Sequence, residues 1–430
     1  MPRPRALRVA WLLALVGGSA FAVEPAADGG AETVAGDEGP EALAMDGSPA
    51  VVAADGGVED DTYPLTRDAL DVLFQKREAK AKEPMTVGRV YVTLLPGIST
   101  SPSTGVLAAL TAQGVFLTGP SETTTQSQVQ VVAAFTSLRQ LFLAVRSQVY
   151  LPRNSVALIG DWRLWDNVER TYGLGSESSL DDVSKLEFGF LRIDETALAR
   201  IFGHWFLGAG LRVDWFANVK DPLREETGTS PMAEYGVGAT GSLSVGPSLA
   251  MMYDSRDAQV RPTKGLYAQV AARLYPQALG STTTWFEFWG EFRGYHRPVA
   301  SSSRQVLAAW LYLWATAGPV PYLNLPANAW DIRGRSSRGY AAGRFRGPVQ
   351  LYAEVEYRLG ITPDGTVAAV AFFNLTTFTS SRTSGFEAPA PGGGLGGRLL
   401  LSKEAGAYLA VDFGLGMQST GLYFTLGETF

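Results

Sequence analysis

The final ten residues of this 430-residue chain, from Gly421 to Phe430, alternate between apolar and more polar side chains. Leu422, Phe424, Leu426 and Phe430 would share one face of a strand. Since consecutive side chains of a strand point to opposite sides, this pattern predicts an apolar surface on one side and water on the other. A terminal strand of this kind is typical of a β-barrel that spans a membrane.

Strand-like stretches separated by turn residues recur through the rest of the chain. Sixteen can be counted, the even number that brings both ends of a closed antiparallel barrel to the same side. The sequence therefore predicts an all-β fold, a sixteen-stranded antiparallel transmembrane β-barrel over residues 89–430. A soluble β-sandwich is the alternative, but it would not need sixteen long strands with apolar outer faces. The predicted strands are 89–100, 105–118, 126–139, 140–151, 155–165, 185–199, 204–219, 241–253, 265–275, 284–297, 305–317, 349–359, 366–379, 393–402, 407–416 and 421–430.

Several predicted strands place charged side chains on the face opposite the apolar one. In strand 349–359, for example, Glu354, Glu356 and Arg358 fall on one face. Charges on a lipid-facing surface are costly, so these residues predict a polar lumen. The long connections 166–184, 221–236, 318–348 and 380–392 all follow odd-numbered strands, which places them at one end of the barrel.

The N-terminal part of the chain predicts export. Residues 1–22 have the order of a secretory signal peptide: arginines, an apolar run over 9–16, then small residues up to Ala22. The run is far shorter than the about 20 residues that a membrane-spanning helix needs. Residues 23–62 are rich in Ala, Gly and acidic residues, which predicts a disordered acidic linker. Within 63–88, a short helix capped by Thr66 is predicted to run to about Lys82, followed by linker.

The inventory of reactive residues argues against an enzyme. The chain has no cysteine and only two histidines, His204 and His296. Thiolate or histidine metal sites and Ser-His-Asp machinery are therefore hard to assemble. We expect no catalytic residue, metal ion or cofactor, and no nucleic-acid partner.

One charged segment predicts a tight hairpin turn at the periplasmic end of the barrel. Asp254, Arg256 and Asp257 close a strand, and Pro262 and Gly265 turn the chain into the next one. A purely structural hairpin explains this pattern as well as a functional motif does.

A second charged segment lies at the end of the longest loop and carries five arginines. One interpretation is a solvated basic loop that meets lipopolysaccharide phosphates. The other is a loop that folds into the barrel, where Arg338 would need luminal carboxylates. The arginines are Arg333, Arg335, Arg338, Arg344 and Arg346, and the available carboxylates are Glu287, Glu291, Glu354, Glu356 and Asp412.

Taken in order along residues 89–430, these motifs resemble the bacterial surface antigen barrel of BamA/TamA-type outer-membrane assembly factors. The resemblance rests on Asp254-x-Arg256-Asp257 with Pro262-Thr263-x-Gly265, Arg338-Gly339-Tyr340, and Glu354-x-Glu356-Tyr357-Arg358. Tyr172-Gly173-Leu174-Gly175 and the terminal strands from Asp412 to Phe430 also agree with it.

The resemblance implies that the loop with Arg338, Gly339 and Tyr340 tucks into the barrel and that Arg338 bonds Glu356. The family usually has an aspartate where this chain has Asn374. The inner lock is therefore expected to be weaker or to be completed by another acid. Residues 23–88 are too short and too low in complexity for a POTRA module, so we expect a barrel without its usual periplasmic modules.

Two functions remain open from the sequence. The resemblance implies a protein of the Gram-negative outer membrane that helps to insert or translocate outer-membrane proteins, through a lateral seam between strands 89–100 and 421–430. Its partners would be outer-membrane lipids and lipopolysaccharide, unfolded outer-membrane protein substrates, and the barrel assembly machinery during its own insertion, with Tyr423, Phe424 and Phe430 as the C-terminal insertion signal. The alternative is a passive outer-membrane pore or structural surface protein without assembly activity.

Overall fold

The computed structural model describes residues 65–66, 80–81, 84–101, 105–302, 304–380, 385–403 and 405–430. The predicted signal peptide and acidic linker lie outside the described residues. The predicted helix over 66–82 is wrong at both ends, because Leu65–Thr66 (β1) and Lys80–Ala81 (β2) pair as two antiparallel strands. Their backbone groups bond across strands rather than along a helix, and residues 67–79 lie outside the described part of the chain.

Sixteen further strands form one antiparallel sheet in which each strand pairs with the next one along the chain. The predicted fold class is confirmed, and the alternative of a β-sandwich is wrong. The strands are Val90–Ser101 (β3), Gly105–Phe116 (β4), Ser127–Thr136 (β5), Leu141–Tyr150 (β6), Val156–Thr171 (β7), Ser184–Phe202 (β8), Trp205–Lys220 (β9), Ser242–Asp254 (β10), Gly265–Tyr275 (β11), Trp285–His296 (β12), Gln305–Ala317 (β13), Val349–Gly360 (β14), Val367–Phe378 (β15), Ala390–Ser402 (β16), Ala407–Gly416 (β17) and Ser419–Leu426 (β18).

Two strand ends differ clearly from the prediction. β7 continues to Thr171, beyond the predicted end at Trp165, because residues 166–171 pair with the start of the long strand β8. β18 ends at Leu426 instead of Phe430. The loop predicted over 166–184 is shortened accordingly to 172–183.

The outer surface of the sheet is apolar. Leu207, Leu211 and Trp215 on β9 are each about half exposed, while Asp214 on the same strand is buried. This is the period-two pattern of a strand with one face toward the lumen. No helix in the described part of the chain has the length and apolar character to cross a membrane.

The two ends of the barrel differ in their connections. One end, the long-loop end, carries the connections 172–183, 221–241, 318–348 and 379–389. The helices Pro222–Thr227 (α1) and Pro231–Tyr235 (α2) lie in the second of these loops, capped by the side chains of Asp221 and Ser230. The opposite end, the short-turn end, carries the turn 255–264. The part of the chain that the structure describes also has three 3₁₀ turns, at Pro152–Asn154, Gln277–Leu279 and Tyr322–Asn324.

The lumen is lined with ion pairs, as its predicted polarity requires. Arg192 donates to both carboxylate oxygens of Asp214 at 2.7 Å. Arg212 bridges two strands, with Asp194 on one side at 2.6 Å and Glu287 on the other at 2.9 Å. Charged groups in the interior are tolerated where they are paired in this way.

Candidate functional site

The connection 318–348, which we call the inward loop, turns from the long-loop end into the lumen. Trp330 packs against Phe190, Trp165 and Phe216, with ring centroids 5.4, 5.5 and 6.2 Å away. Its indole N–H donates to Glu169 at 2.6 Å. Aromatic packing and one satisfied polar atom therefore hold the loop inside the barrel.

Arg338 lies at the centre of the site and joins the inward loop to two strands of the barrel. It ion-pairs with Glu354 at 2.5 Å and with Glu356, both on β14, and with Asp412 on β17 at 2.7 Å. Its guanidinium also lies 3.6 Å from the ring centroid of Phe372. Arg338 and all three carboxylates are buried, so the group acts as a single charged lock.

Asn374 takes part in this lock through its amide. Its N–H group donates to the backbone carbonyl of Arg338 at 3.0 Å. Of the two expectations for this position, the structure favours completion by other acids, because Glu354 and Asp412 join Glu356 around the guanidinium. The amide thus holds the loop backbone while the carboxylates hold the side chain.

Gly339 and Tyr340, next to Arg338 in the inward loop, pack closely against β17 and β16. Gly339 has a φ of +113°, and a Cβ atom there would lie 2.6 Å from the carbonyl oxygen of Leu415. Its N–H donates to the hydroxyl of Tyr423 at 2.8 Å. The hydroxyl of Tyr340 donates to the carbonyl of Pro391 at 2.6 Å. Only glycine suits this conformation and this close approach to β17.

Two further contacts of the inward loop were not assigned from the sequence. Arg346 ion-pairs with Glu169 at 2.6 Å, and both are buried. The carboxylate of Asp331 accepts hydrogen bonds from four backbone N–H groups, those of residues 333–336. The sequence signal for Asp331 was an aspartate followed closely by Gly334, since such residues close turns through their side chains.

The charged turn at the short-turn end is built as a compact hydrogen-bonded unit. Arg256 makes a bidentate contact to Asp254 at 2.9 and 2.8 Å. Burial opposes the charge of Arg256, but Asp254 outweighs it and raises the pKa of the guanidinium well above its usual range. Asp257 accepts from the backbone N–H of Thr263 at 2.9 Å, beside the buried Pro262. A Cβ at Gly265, whose φ is +102°, would lie 2.3 Å from the carbonyl oxygen of Ser255.

The sheet does not close on itself. Within the described residues, no backbone pairing joins β3 to β18, which are the first and last strands of the sheet order. Phe424 and Leu426 of β18 instead line a cavity of about 150 Å³ together with Thr111, Phe142 and Arg146. These neighbours face the lumen from β4 and β6. The end of β18 therefore lies on the luminal side of the strands that follow β3.

The C-terminal residues correct one prediction from the sequence. Phe430 was expected on the outer apolar face, but it is buried in the lumen, 5.4 Å from Trp310 between ring centroids. The chain leaves the strand direction at Gly427, whose φ is +88°. A continued strand would carry Glu428 on the same face as Leu422, which is exposed on the outer surface, where a carboxylate is unfavourable. Of the proposed insertion signal, Tyr423 faces the lumen, Phe424 is partly buried and Phe430 is fully internal.

The residues 427–430, which we call the C-terminal tail, are bound by three arginines. Glu428 ion-pairs with Arg398 at 2.8 Å. Arg358 donates to the carbonyl oxygen of Phe430 at 3.0 Å. Arg335 of the inward loop donates to the carbonyl oxygens of Glu428 at 2.5 Å and of Leu426 at 3.2 Å. The inward loop and the tail are therefore directly linked, which the sequence did not reveal.

These contacts define a class of protein. It is a β-barrel with a loop held in its lumen, and its first and last described strands, β3 and β18, do not pair with each other. No protein-family model matches the sequence, and no curated protein matches it. The fold is similar to the crystal structure of BamA from Haemophilus ducreyi lacking POTRA domains 1-3, at 14% identity and a TM-score of 0.47, covering 81% of this chain and 70% of that one. It is also similar to CdiB from Acinetobacter baumannii, at 10% identity and a TM-score of 0.45, covering 78% and 65%.

Proposed function

We propose that this chain is an integral outer-membrane β-barrel of the BamA/TamA type that assists the insertion or translocation of other outer-membrane proteins. The observation that carries the proposal is the pair of open edges, β3 and β18. An open edge presents a row of unpaired backbone N–H and C=O groups, which can template an incoming strand. Unfolded outer-membrane proteins are the partners that this chemistry suits.

The outer surface supports a location in a lipid bilayer. Leu249, Leu395 and Phe413 are 71, 69 and 49% exposed on the outer faces of their strands. Apolar side chains of this size and number are unfavourable in water, so they favour lipid as the surrounding solvent. An outer-membrane location, with lipid and lipopolysaccharide as neighbours, follows from this proposal.

The filled lumen argues against the alternative of a wide passive pore. The inward loop brings Trp330, Arg338 and Arg346 into the interior, where all three are buried. The two cavities beside the loop each have a volume of about 150 Å³. Solute passage would require the inward loop to leave its ion pairs with Glu354 and Glu169.

A reversible cross-link across the seam tests the assembly role. Leu95 on β3 and Leu426 on β18 belong to one buried apolar cluster, and the chain has no native cysteine. We expect Leu95→Cys with Leu426→Cys to form a disulfide that abolishes rescue of a depleted strain, measured as the level of other outer-membrane proteins. Reduction should restore rescue.

The matched control is Phe413→Cys with Leu422→Cys, a pair already opposite each other on β17 and β18. Its disulfide should leave rescue intact. Full rescue by the oxidised Leu95/Leu426 pair would contradict an assembly role at the seam. Depletion that leaves other outer-membrane proteins unchanged but lowers solute uptake would instead identify a passive pore.

A further inference from the structure

Among the described residues, most luminal arginines have a carboxylate partner, but three do not. Arg146 on β6 and Arg333 on the inward loop make no hydrogen bond or ion pair through their guanidinium groups with the described residues, and the Nε atom of each is buried and unbonded. Within the described structure, the hydrogen bonds of the Arg335 guanidinium go to backbone carbonyls, those of Leu426 and Glu428. These three side chains carry positive charge that no acid of the described chain contacts.

The three arginines lie around the same space. Arg146, Arg333 and Arg335 line two luminal cavities of about 150 Å³ each, together with Trp330. A Cβ at Gly334, between the two loop arginines, would lie 3.5 Å from the Nη2 atom of Arg146. The turn of the inward loop therefore brings Arg335 and Arg333 to the wall that Arg146 occupies.

The surroundings of the two loop arginines disfavour their charged forms. Burial and then the nearby charge of Arg146 lower the pKa of Arg335 to about 10. Burial and then the charge of Arg293 lower the pKa of Arg333 to about 9. A lowered pKa of a buried arginine means that the negative charge around it does not offset the cost of its burial.

The nearby acids are engaged elsewhere. Asp161 ion-pairs with Arg163 at 2.8 Å. The carboxylate of Asp331 binds backbone N–H groups of the inward loop. Glu291 contacts Arg293 at 2.7 Å. None of these carboxylates contacts Arg146 or Arg333 in the described structure, so neither guanidinium group has an ion-pair partner among the described residues.

We propose that the lumen binds an oxyanion of the phosphate class between Arg146 and Arg335, with Arg333 on the same cavity wall. Guanidinium groups match tetrahedral oxyanions through paired N–H donors. A water molecule needs about 10–15 Å³ of such a cavity, so about 150 Å³ accommodates a phosphate with its first waters. This inference goes beyond the assembly role and does not depend on it.

The bound anion would connect three parts of the molecule. Arg146 belongs to the barrel wall and Arg335 to the inward loop, and Arg335 also binds the C-terminal tail through Leu426 and Glu428. The oxyanion therefore fixes the loop and the tail to β6. It has two sources with the same chemistry, free phosphate and the phosphate of a lipid headgroup.

The test uses the full chain, purified in detergent and phosphate-free buffer and titrated with inorganic phosphate. We expect a saturable rise in the temperature at which the protein loses its folded mobility on gels. Arg146→Gln should weaken the phosphate affinity at least tenfold, whereas Arg224→Gln, at an exposed position on α1, should leave it unchanged. Arg333→Gln should weaken it less than Arg146→Gln.

A second measurement keeps the proposal testable if phosphate cannot be removed. Phosphorus released from the purified protein should amount to about one equivalent, soluble in water if the source is free phosphate and in organic solvent if it is a lipid headgroup. In phosphate-free buffer, Arg146→Gln should unfold at the same temperature as the unsubstituted chain or higher, because it removes an uncompensated charge. An equal effect of sodium chloride at the same ionic strength, or unchanged affinity in Arg146→Gln, would overturn the proposal.

Discussion

Replacing Arg338 by alanine should release the inward loop, and the contacts of its three carboxylates set the expected magnitude. Glu356 would keep Arg358 at 2.7 Å, and Asp412 would keep Arg398 at 2.5 Å. Glu354 would keep only a hydrogen bond from the hydroxyl of Tyr352. One of the three buried carboxylates would therefore lose its only ion-pair partner among the described residues.

Leaving one buried charge of an ion pair uncompensated costs about 3–5 kcal/mol. Since about 1.4 kcal/mol corresponds to a factor of ten, the population with the loop released should rise about 140- to 3,700-fold. The resulting state exposes Arg333, Arg335, Arg344 and Arg346, which are trypsin cleavage sites. Trypsin applied to whole cells should therefore cut Arg338→Ala within residues 318–348 and leave the unsubstituted loop intact.

Two further variants distinguish the loss of the Arg338 ion pairs from general destabilisation of the protein. Arg224→Ala changes an exposed arginine on α1 and should leave the loop resistant to trypsin. Glu354→Gln combined with Arg338→Ala removes the charge that the single substitution leaves uncompensated, so most of the resistance should return. Equal resistance of Arg338→Ala and the unsubstituted protein would refute the reasoning, as would a double variant no more resistant than Arg338→Ala alone.

Two other substitutions test the tail and the charged turn, both by the temperature at which folded gel mobility is lost. Phe430→Ala should lower stability by about 3–5 kcal/mol, because it removes a buried ring that packs on Trp310. Phe413→Ala, on the outer face, should have a smaller effect, and equal effects would place Phe430 outside the lumen. Gly265→Ala should lower stability by at least about 1–3 kcal/mol through its φ of +102° and its contact with Ser255. Gly397→Ala, with nothing within 4 Å of its Cβ, is the control, and similar results for the two would contradict a strained turn.

The barrel could be predicted from the sequence because one face of each strand lies on the apolar outer surface and the other faces the polar lumen. Leu207 and Leu211 alternate with Gly208 and Arg212, so the period of two is visible along β9. The prediction ended β7 too early because this alternation is absent from its last six residues. Residues 166–171 are mostly polar on both faces, and no alternation marks them as a strand.

From the sequence, the possible carboxylate partners of Arg338 could be narrowed to five residues, but the actual partners among them could not be identified. Five luminal carboxylates were available, and register decides among them: Glu354 and Glu356 lie on β14, while β16 and β17 bring Asp412 to the same place. Glu287 instead pairs with Arg273 on the neighbouring strand β11, and Glu291 pairs with Arg293 on its own strand, β12. Charge alone could not supply this pairing, because it depends on contacts between residues distant in sequence.

The last residues of the chain lie beside the open seam. β3 has twelve residues and β18 has eight, so β18 is four residues shorter than its potential partner. The four residues of the tail would supply the missing length, but Glu428 and Phe430 are held in the lumen by Arg398 and by Trp310. The free energy gained from these contacts competes with the backbone hydrogen bonds that would close the barrel. Because Arg335 binds the same tail from the inward loop, any change that releases the loop also weakens the restraint that keeps the two edges apart.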